Sequence, residues 1–207
     1  MQGQIRMAMR LVRIALCLMA LAAGCAVASG ADWQPLEKVE TYAVPGTTGP
    51  ALYASIGERG PQVGGSGRAI AYTNFRLTWS RDYQPRDGGC TIASARPKLI
   101  ITYTLPKAVD TLSGVTRRNW DVFIAGVREH EKVHGRIIEE MVRKIEAYSV
   151  GLTVADDPEC RRIRKVLTER LTQLSLEQRQ RSRDFDRDEL GNNGNIQQLV
   201  LMLVNGG

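Results

Sequence analysis

The chain has 207 residues, of which 43% are hydrophobic and 24% are charged. This composition is ordinary for a globular protein and argues against an intrinsically disordered chain. The length indicates one domain, alone or with a short tail, and enough apolar side chains for a sizeable core.

The formal net charge is +6 at pH 7. Arg6, Arg10 and Arg13 precede residue 25 without any acidic residue, so the remainder of the chain carries 6 minus 3, or +3. The densest basic group consists of Arg161, Arg162, Arg164 and Lys165. A small group of this kind is typical of a solvated helix face, and we therefore expect no nucleic-acid partner.

The first residues have the pattern of a bacterial export signal. The positive segment with the three arginines is followed by the apolar residues 14–23. That run is far shorter than the roughly 20 residues of a membrane-spanning helix. We assign residues 1–28 to a removable signal and expect the remaining protein in the periplasm or cell envelope, or secreted.

Two processing sites fit this signal. Residues 21–25 (LAAGC) resemble a lipobox, in which Cys25 would be acylated and become the new N-terminus. Residues 26–28 (AVA) match the A-x-A pattern of the ordinary signal peptidase. A lipid anchor through Cys25 and an unanchored protein are therefore alternatives.

The first half of the exported chain predicts β-strands. Residues 39–44 form a first candidate strand, and residues 57–67 are glycine-rich and predict a loop. Residues 69–79 carry apolar side chains at most odd positions and polar ones at the later even positions. This alternation predicts a strand with one face in the core.

Two more β-rich runs follow at residues 90–93 and 99–105, and Pro106 is expected to end the second. The connections between these runs are too short for helical crossovers. The strands together therefore predict an antiparallel sheet.

The second half predicts helices. Apolar residues recur at helical spacing between residues 120 and 148, and a second helix is expected to start near Asp157 and Pro158. We predict a single α+β domain over residues 31–190, with the sheet packed on the first long helix and the second long helix following. Residues 191–207 are set apart as a C-terminal tail.

Cysteine usage fits an oxidising compartment. Once the signal is removed and Cys25 is removed or lipidated, an even pair remains, Cys90 and Cys160. Such a pair in an exported protein is expected to form a disulfide. Two buried free thiols are the alternative.

The apolar stripe of the first long helix has one polar gap, which contains His130, Glu131 and His134 in the pattern H-E-x-x-H. Residues four apart on a helix project from the same face, so both imidazoles can share one ion. Zinc accepts such nitrogens and keeps a position for water in catalytic sites, while the adjacent glutamate can act as general base. Two hydrogen-bonded core histidines are the alternative, which leaves the carboxylate in the apolar stripe unexplained.

The sequence also resembles the bacterial domain of unknown function 922 family, described as predicted secreted zinc-dependent proteases. The resemblance covers roughly residues 42–197 and includes YAVPG at residues 42–46, WDVF at 120–123 and HEKVH at 130–134. It also includes both cysteines and the pair Phe185-Asp186. It implies a zincin-like fold, an export signal and a zinc cofactor.

The third metal ligand cannot be a histidine, because the chain has only two. Helical phase turns Glu139 and Glu140 away from the histidines. The resemblance proposes Asp186, since Phe185-Asp186 matches an aromatic-Asp pair of the family. Where a His-Gly often follows that pair, this chain has Asn193-Gly194. Three other acidic residues, or no ligand in this segment, are alternatives: Asp184, Asp188 and Glu189.

The expected function is a zinc metallopeptidase that hydrolyses peptide or protein substrates through zinc-activated water, with Glu131 as general base. A non-catalytic, zinc-stabilised binding module of the cell envelope is one alternative. An amidase that acts on cell-wall peptides is the other.

Overall fold

The computed structural model describes residues 33–65 and 67–206. The predicted signal, both processing sites and Cys25 lie outside the described residues. The helices and strands are, in chain order, β1 (Leu36–Val44), α1 (Gly49–Arg59), β2 (Gln62–Val63), β3 (Gly67–Arg68), β4 (Tyr72–Arg86), β5 (Gly89–Ala108), α2 (Gly114–Ser149), β6 (Thr153–Val154), α3 (Arg162–Leu190) and α4 (Asn195–Asn205). The predicted α+β class is confirmed.

The main sheet has the order β1-β5-β4, with β6 paired to the start of β5. Strands β4 and β6 run antiparallel to β5, as predicted, but β1 runs parallel to it. The prediction of a wholly antiparallel sheet is therefore wrong at β1. The reason is that residues 45–71, which include α1, carry the chain across the end of β5 from one side of the sheet to the other.

Helix α1 was not predicted, and its last residues overlap the expected glycine-rich loop. Only Gly49, Leu52 and Ile56 of this short helix are buried, so its apolar signal is weak. The sequence feature that could have predicted α1 lies at its start. Thr48 accepts a hydrogen bond from the Ala51 backbone at 3.4 Å, and a proline occupies the first turn.

The two β-rich runs before and after residue 95 belong to one strand, β5, and Pro106 does not end it. The last pair between β4 and β5 is Tyr72 with Thr104, whereas β1 remains paired with β5 to Ala108. Pro106 therefore lies where β5 has only one neighbouring strand, and a missing N–H is tolerated there.

Helix α2 packs across β5 and β4 and buries its apolar stripe against them. The core between them includes Ile101 and Tyr103 from β5 and Phe123 and Ile138 from α2. Gly135 permits the close approach, because a Cβ there would lie 2.2 Å from the Tyr103 hydroxyl oxygen. Helix α2 therefore packs closely against the sheet at the position directly after His134.

A second apolar cluster lies at the other end of the sheet, around the Cys90–Cys160 disulfide. The predicted disulfide is present, with the two Cα atoms 5.2 Å apart. Helix α3 begins a few residues later than expected. The Asp157 carboxylate accepts hydrogen bonds from the backbone N–H groups of Arg161, Arg162 and Ile163 at 2.7, 3.0 and 2.8 Å.

The segment set apart as a tail contains α4, which packs on α1 and α2 and buries Ile196 and Leu203. Residues from Trp33 onward, including α4, form one compact unit. Among the described residues, no helix has both the length and the apolar character required to cross a membrane.

Candidate metal centre

Helix α2 places His130, Glu131 and His134 on its buried side, at the polar gap in its apolar stripe. Their exposed fractions are only 8%, 5% and 9%. Burial of three ionisable side chains is costly unless they have partners. The partners come from α3 and β4.

Asp186, on the last two turns of α3, reaches both histidines. Its Oδ1 lies 3.2 Å from His130 Nε2 and 2.9 Å from His134 Nε2, and the two Nε2 atoms are 3.1 Å apart. The structure thus brings the proposed third ligand to the H-E-x-x-H pair. The three side chains form a group that could hold a metal ion.

The geometry of this triangle fits a single cation. An ion bound to all three atoms at about 2.0 to 2.1 Å separates them by about 2.9 to 3.4 Å, depending on the coordination angle. If both Nε2 atoms carried protons and donated to Asp186, the two N–H groups would face each other. A cation would use one lone pair from each atom.

The outer nitrogen of His130 supports the same assignment. Among the described residues, Nδ1 is buried without a hydrogen-bond partner, and Glu189 Oε2 lies 3.8 Å from it. A histidine that binds metal through Nε2 usually donates its Nδ1–H to such a group. Glu189, an alternative ligand in the sequence, thus lies on the outer side of His130.

Phe185 holds the imidazoles from the side. Its ring stacks on His130 with centroids 4.7 Å apart and meets His134 edge-on at 5.4 Å. The aromatic-Asp pair therefore contributes a packing residue and a candidate ligand from consecutive positions.

The remaining acidic residues are engaged elsewhere. Asp184 accepts hydrogen bonds from Gln180 and Arg187, and Asp188 lies near Arg187. Glu139 and Glu140 pair with Arg143 and Arg181, away from the histidines as expected. The backbone N–H of Asn193 donates to Gln197.

Glu131 is held by Thr73 of β4, whose hydroxyl donates to Glu131 Oε2 at 2.6 Å. The other oxygen, Oε1, accepts no hydrogen bond from the described residues. Burial raises the pKa of the Glu131 carboxyl, and the Thr73 hydrogen bond and the two histidines offset only part of that rise. Sequence analysis did not find Thr73, because its contact depends on how β4 lies over α2.

The histidine–aspartate contacts also shift pKa values. Burial alone would lower the pKa of His134, but the hydrogen bond to Asp186 and the charge of Asp186 raise it overall. Burial favours a higher pKa for Asp186, yet hydrogen bonds and charge from both histidines bring it well below its usual value. The carboxylate therefore stays ionised, as a metal ligand must.

The site opens into a pocket of about 660 Å³ between β4, α2 and α3. His130, Glu131, His134 and Asp186 all line it. A volume of this size is within the usual range for ligand-binding pockets. The candidate metal group is thus both buried in the fold and accessible to a ligand.

A family model described as "Bacterial protein of unknown function (DUF922)" matches residues 39–193, well over half of the chain. The matched region includes every residue of the metal group. Neither the curated protein sequences nor the solved structures contain a match to this chain. The chain belongs to the bacterial DUF922 family.

Proposed function

We propose that this protein is a zinc-dependent metallopeptidase. The observation that carries the proposal is the convergence of His130, His134 and Asp186 in one pocket with the Glu131 carboxylate beside them. Structural zinc sites are generally closed by four protein ligands, whereas catalytic sites have three and an open position. The three-ligand group in an accessible pocket supports the second kind.

Two histidines and one carboxylate suit zinc and also iron(II). Glu131 favours zinc, because a buried carboxylate next to the first ligand serves proton transfer in hydrolysis. Metal analysis of the purified protein separates the two ions.

When bound, zinc would polarise the scissile carbonyl and lower the pKa of water at the site. Glu131 would take a proton from the attacking water and give it to the leaving amine. Thr73 fixes Oε2 of Glu131, so that Oε1 remains for this transfer. Burial raises the pKa of Glu131, which makes its carboxylate a stronger base for this transfer.

Strand β4 supports a peptide as substrate. It is an edge strand of the described sheet, and its first residues, Tyr72 to Phe75, line the pocket beside Glu131. An extended peptide can add to such an edge through main-chain hydrogen bonds. We propose that the substrate lies along β4 with its scissile bond over Glu131.

We further propose that the protein works outside the cytoplasm. The Cys90–Cys160 disulfide supports this location, since such bonds persist in oxidising compartments. The lipid anchor through Cys25 and the unanchored form remain the two proposals for the mature N-terminus.

The test compares wild type with Glu131→Gln for metal content and for cleavage of a mixed peptide library. We expect about one zinc per chain in both proteins and a fall in turnover of at least 100-fold in the variant, because general-base catalysis contributes about 10² to 10⁴ in rate. Glu139→Gln on the same helix, which pairs with Arg143, is the matched control and should retain full turnover.

Equal turnover in wild type and Glu131→Gln would contradict the assignment of Glu131 as general base. Stoichiometric zinc without any cleavage by wild type would instead support the non-catalytic binding module.

A further inference from the structure

The pocket contains more positive than negative side chains. Arg68, Arg179 and Arg183 line it, whereas its acidic lining residues are Glu131 and Asp186. Both acids are already engaged, by Thr73 and by the two histidines. A divalent ion at the histidines would balance the two carboxylates and leave three guanidinium charges without a counterion.

The arginines of α3 differ according to the side they face. Arg181 and Arg187 point away from the pocket and form ion pairs with Glu140 and Asp184. Arg179 and Arg183 line the pocket and form no ion pair with any carboxylate in residues 33–65 and 67–206. Arg68 on β3 also has no such partner within that part of the chain.

Within the described residues, each pocket arginine donates a hydrogen bond to a neutral group and forms none with a carboxylate. Arg179 donates to Ser175 Oγ at 2.9 Å, Arg183 to Gln180 Oε1 at 2.5 Å, and Arg68 to the Gly60 carbonyl at 2.6 Å. A guanidinium has five N–H donors, so most of them remain available to a ligand. A carboxylate is the acceptor that this fork matches best.

Helical spacing places these charges relative to the metal group. Arg183 and Arg179 lie three and seven residues before Asp186, which is about 4.5 and 10.5 Å along the helix axis at 1.5 Å per residue. An extended peptide advances about 3.3 Å per residue. The guanidinium groups are thus within roughly three substrate residues of the metal position.

We propose that this pocket selects substrates that carry a carboxylate within about three residues of the scissile bond, bound by Arg183 and Arg179 of α3 together with Arg68 of β3. The inference rests on the proposed peptide hydrolysis and names its substrate class. The carboxylate can belong to an aspartate or glutamate side chain or to the C-terminus of the peptide. Tyr53, Val63 and Tyr72 also line this pocket and are partly exposed, so they supply apolar surface beside the charged groups.

The test measures binding rather than turnover, by fluorescence anisotropy with the Glu131→Gln protein and labelled decapeptides. The peptides differ only in Asp or Glu against Asn or Gln, and in a free against an amidated C-terminus. We expect at least about tenfold tighter binding of peptides with the correctly placed carboxylate, and loss of that advantage when salt rises from about 0.05 to 0.5 M. If the Asp and Glu peptides bind more tightly, the recognised carboxylate belongs to a side chain. If the peptide with the free C-terminus binds more tightly, it belongs to the C-terminus.

Arg179→Gln combined with Arg183→Gln should remove most of this advantage, a loss of at least about fivefold, and the double lysine variant, which keeps the charge without the bidentate fork, should retain only part of it. Lys165→Gln combined with Arg170→Gln removes the same charge from α3 outside the pocket and should have no effect. Equal binding of acidic and neutral peptides, no measurable binding of any acidic peptide, or an unchanged preference in the Arg179/Arg183 variant would each overturn the inference.

The peptide-binding test can fail or succeed independently of the cleavage test of the proposed function. Arginine-dependent binding of acidic peptides by a protein that cleaves none would support this inference and contradict the peptidase. Cleavage without preference for a carboxylate would support the peptidase and contradict this inference.

Discussion

The two ends of helix α3 are held in place by different kinds of contact. At its start, the Cys90–Cys160 disulfide and the Asp157 carboxylate lie beside a closed apolar cluster, and Asp157 satisfies three backbone N–H groups. At its end, Asp186 contacts two buried histidines, and His130 Nδ1 has no hydrogen-bond partner in the part of the chain that the structure describes.

The first end is held by a covalent bond and by hydrogen bonds between protein groups, whereas the second brings together three side chains that could hold a metal ion. Changes at the disulfide end should therefore alter the stability of the fold and leave metal affinity intact. Changes at the metal end should alter metal affinity and leave the stability of the metal-free fold intact.

The largest effect on zinc affinity is expected at the metal end. His134→Ala removes one of three ligands and should lower zinc affinity by more than about 100-fold, since even outer-shell changes reduce it 10- to 100-fold. Zinc at 100 times its Kd stabilises a protein by about 2.7 kcal/mol, so it should raise the Tm of wild type and not that of the variant. Competition with a chromogenic chelator and thermal unfolding followed by circular dichroism measure both quantities.

Glu139→Ala is the control for His134→Ala, because Glu139 lies on the same helix and pairs with Arg143. Stoichiometric zinc in His134→Ala, measured by elemental analysis, would place the metal at some other position.

The largest effect on the free energy of unfolding is expected at the disulfide end. Cys90 and Cys160 are 70 residues apart, and a loop of that length gives about 4 kcal/mol of stabilisation in the chain-entropy model. Replacing both cysteines by alanine should lower the free energy of unfolding in urea by about that amount. Zinc affinity of the folded variant should stay within about threefold of wild type.

Reduced wild type should behave like the double alanine variant. A large loss of zinc affinity under conditions where the double variant is fully folded would show that the two ends of α3 are not independent.

Some residues of the metal group could be predicted from the sequence, and others could not. His130, Glu131 and His134 lie within one helical turn, so their spacing alone defines their common face. Asp186 lies 52 residues beyond His134, and only the resemblance to the family singled it out. Nothing local identified Thr73 or the outer position of Glu189, because both contacts arise from how β4 and α3 pack on α2.

Likewise, some elements of the fold could be predicted from the sequence, and others could not. Alternating residues predicted β4, and the helical stripe predicted α2, since each pattern reports a local repeat against one buried face. The parallel pairing of β1 depends on where the chain crosses the sheet, which no local repeat records. The extension of β5 past Pro106 likewise depends on the absence of β4 beside that residue.

A smaller effect on zinc affinity is expected from Glu189. Glu189 Oε2 lies 3.8 Å from His130 Nδ1, close enough to orient the imidazole once Nε2 binds metal. Glu189→Gln should reduce zinc affinity about tenfold without a change in Tm of the metal-free protein. Asp188→Asn, an exposed neighbour near Arg187, is the control, and equal affinity in the two variants would contradict this role.

The smallest effect is expected from Asp157, whose carboxylate is only 3% exposed at the start of α3. Asp157→Ala leaves three backbone N–H groups without their acceptor and should lower the Tm of the metal-free protein by roughly 5 °C. Burial alone would raise the pKa of Asp157, but the three N–H donors and Arg162 lower it overall. Stability from a lowered pKa is fully present above the unfolded value of about 3.9 and is lost as pH falls through the folded value.

The Tm difference between wild type and Asp157→Ala should therefore be constant from pH 7 to 5 and shrink in stronger acid. Circular dichroism melts at pH 7, 5 and 3 measure it, with metal removed from both proteins so that ligand protonation does not contribute. Glu159→Ala changes an exposed carboxylate two residues away that pairs with Arg161, and it should leave the Tm unchanged. A Tm difference that widens in acid would contradict the ionised cap, because it would require Asp157 to stabilise α3 in its protonated form.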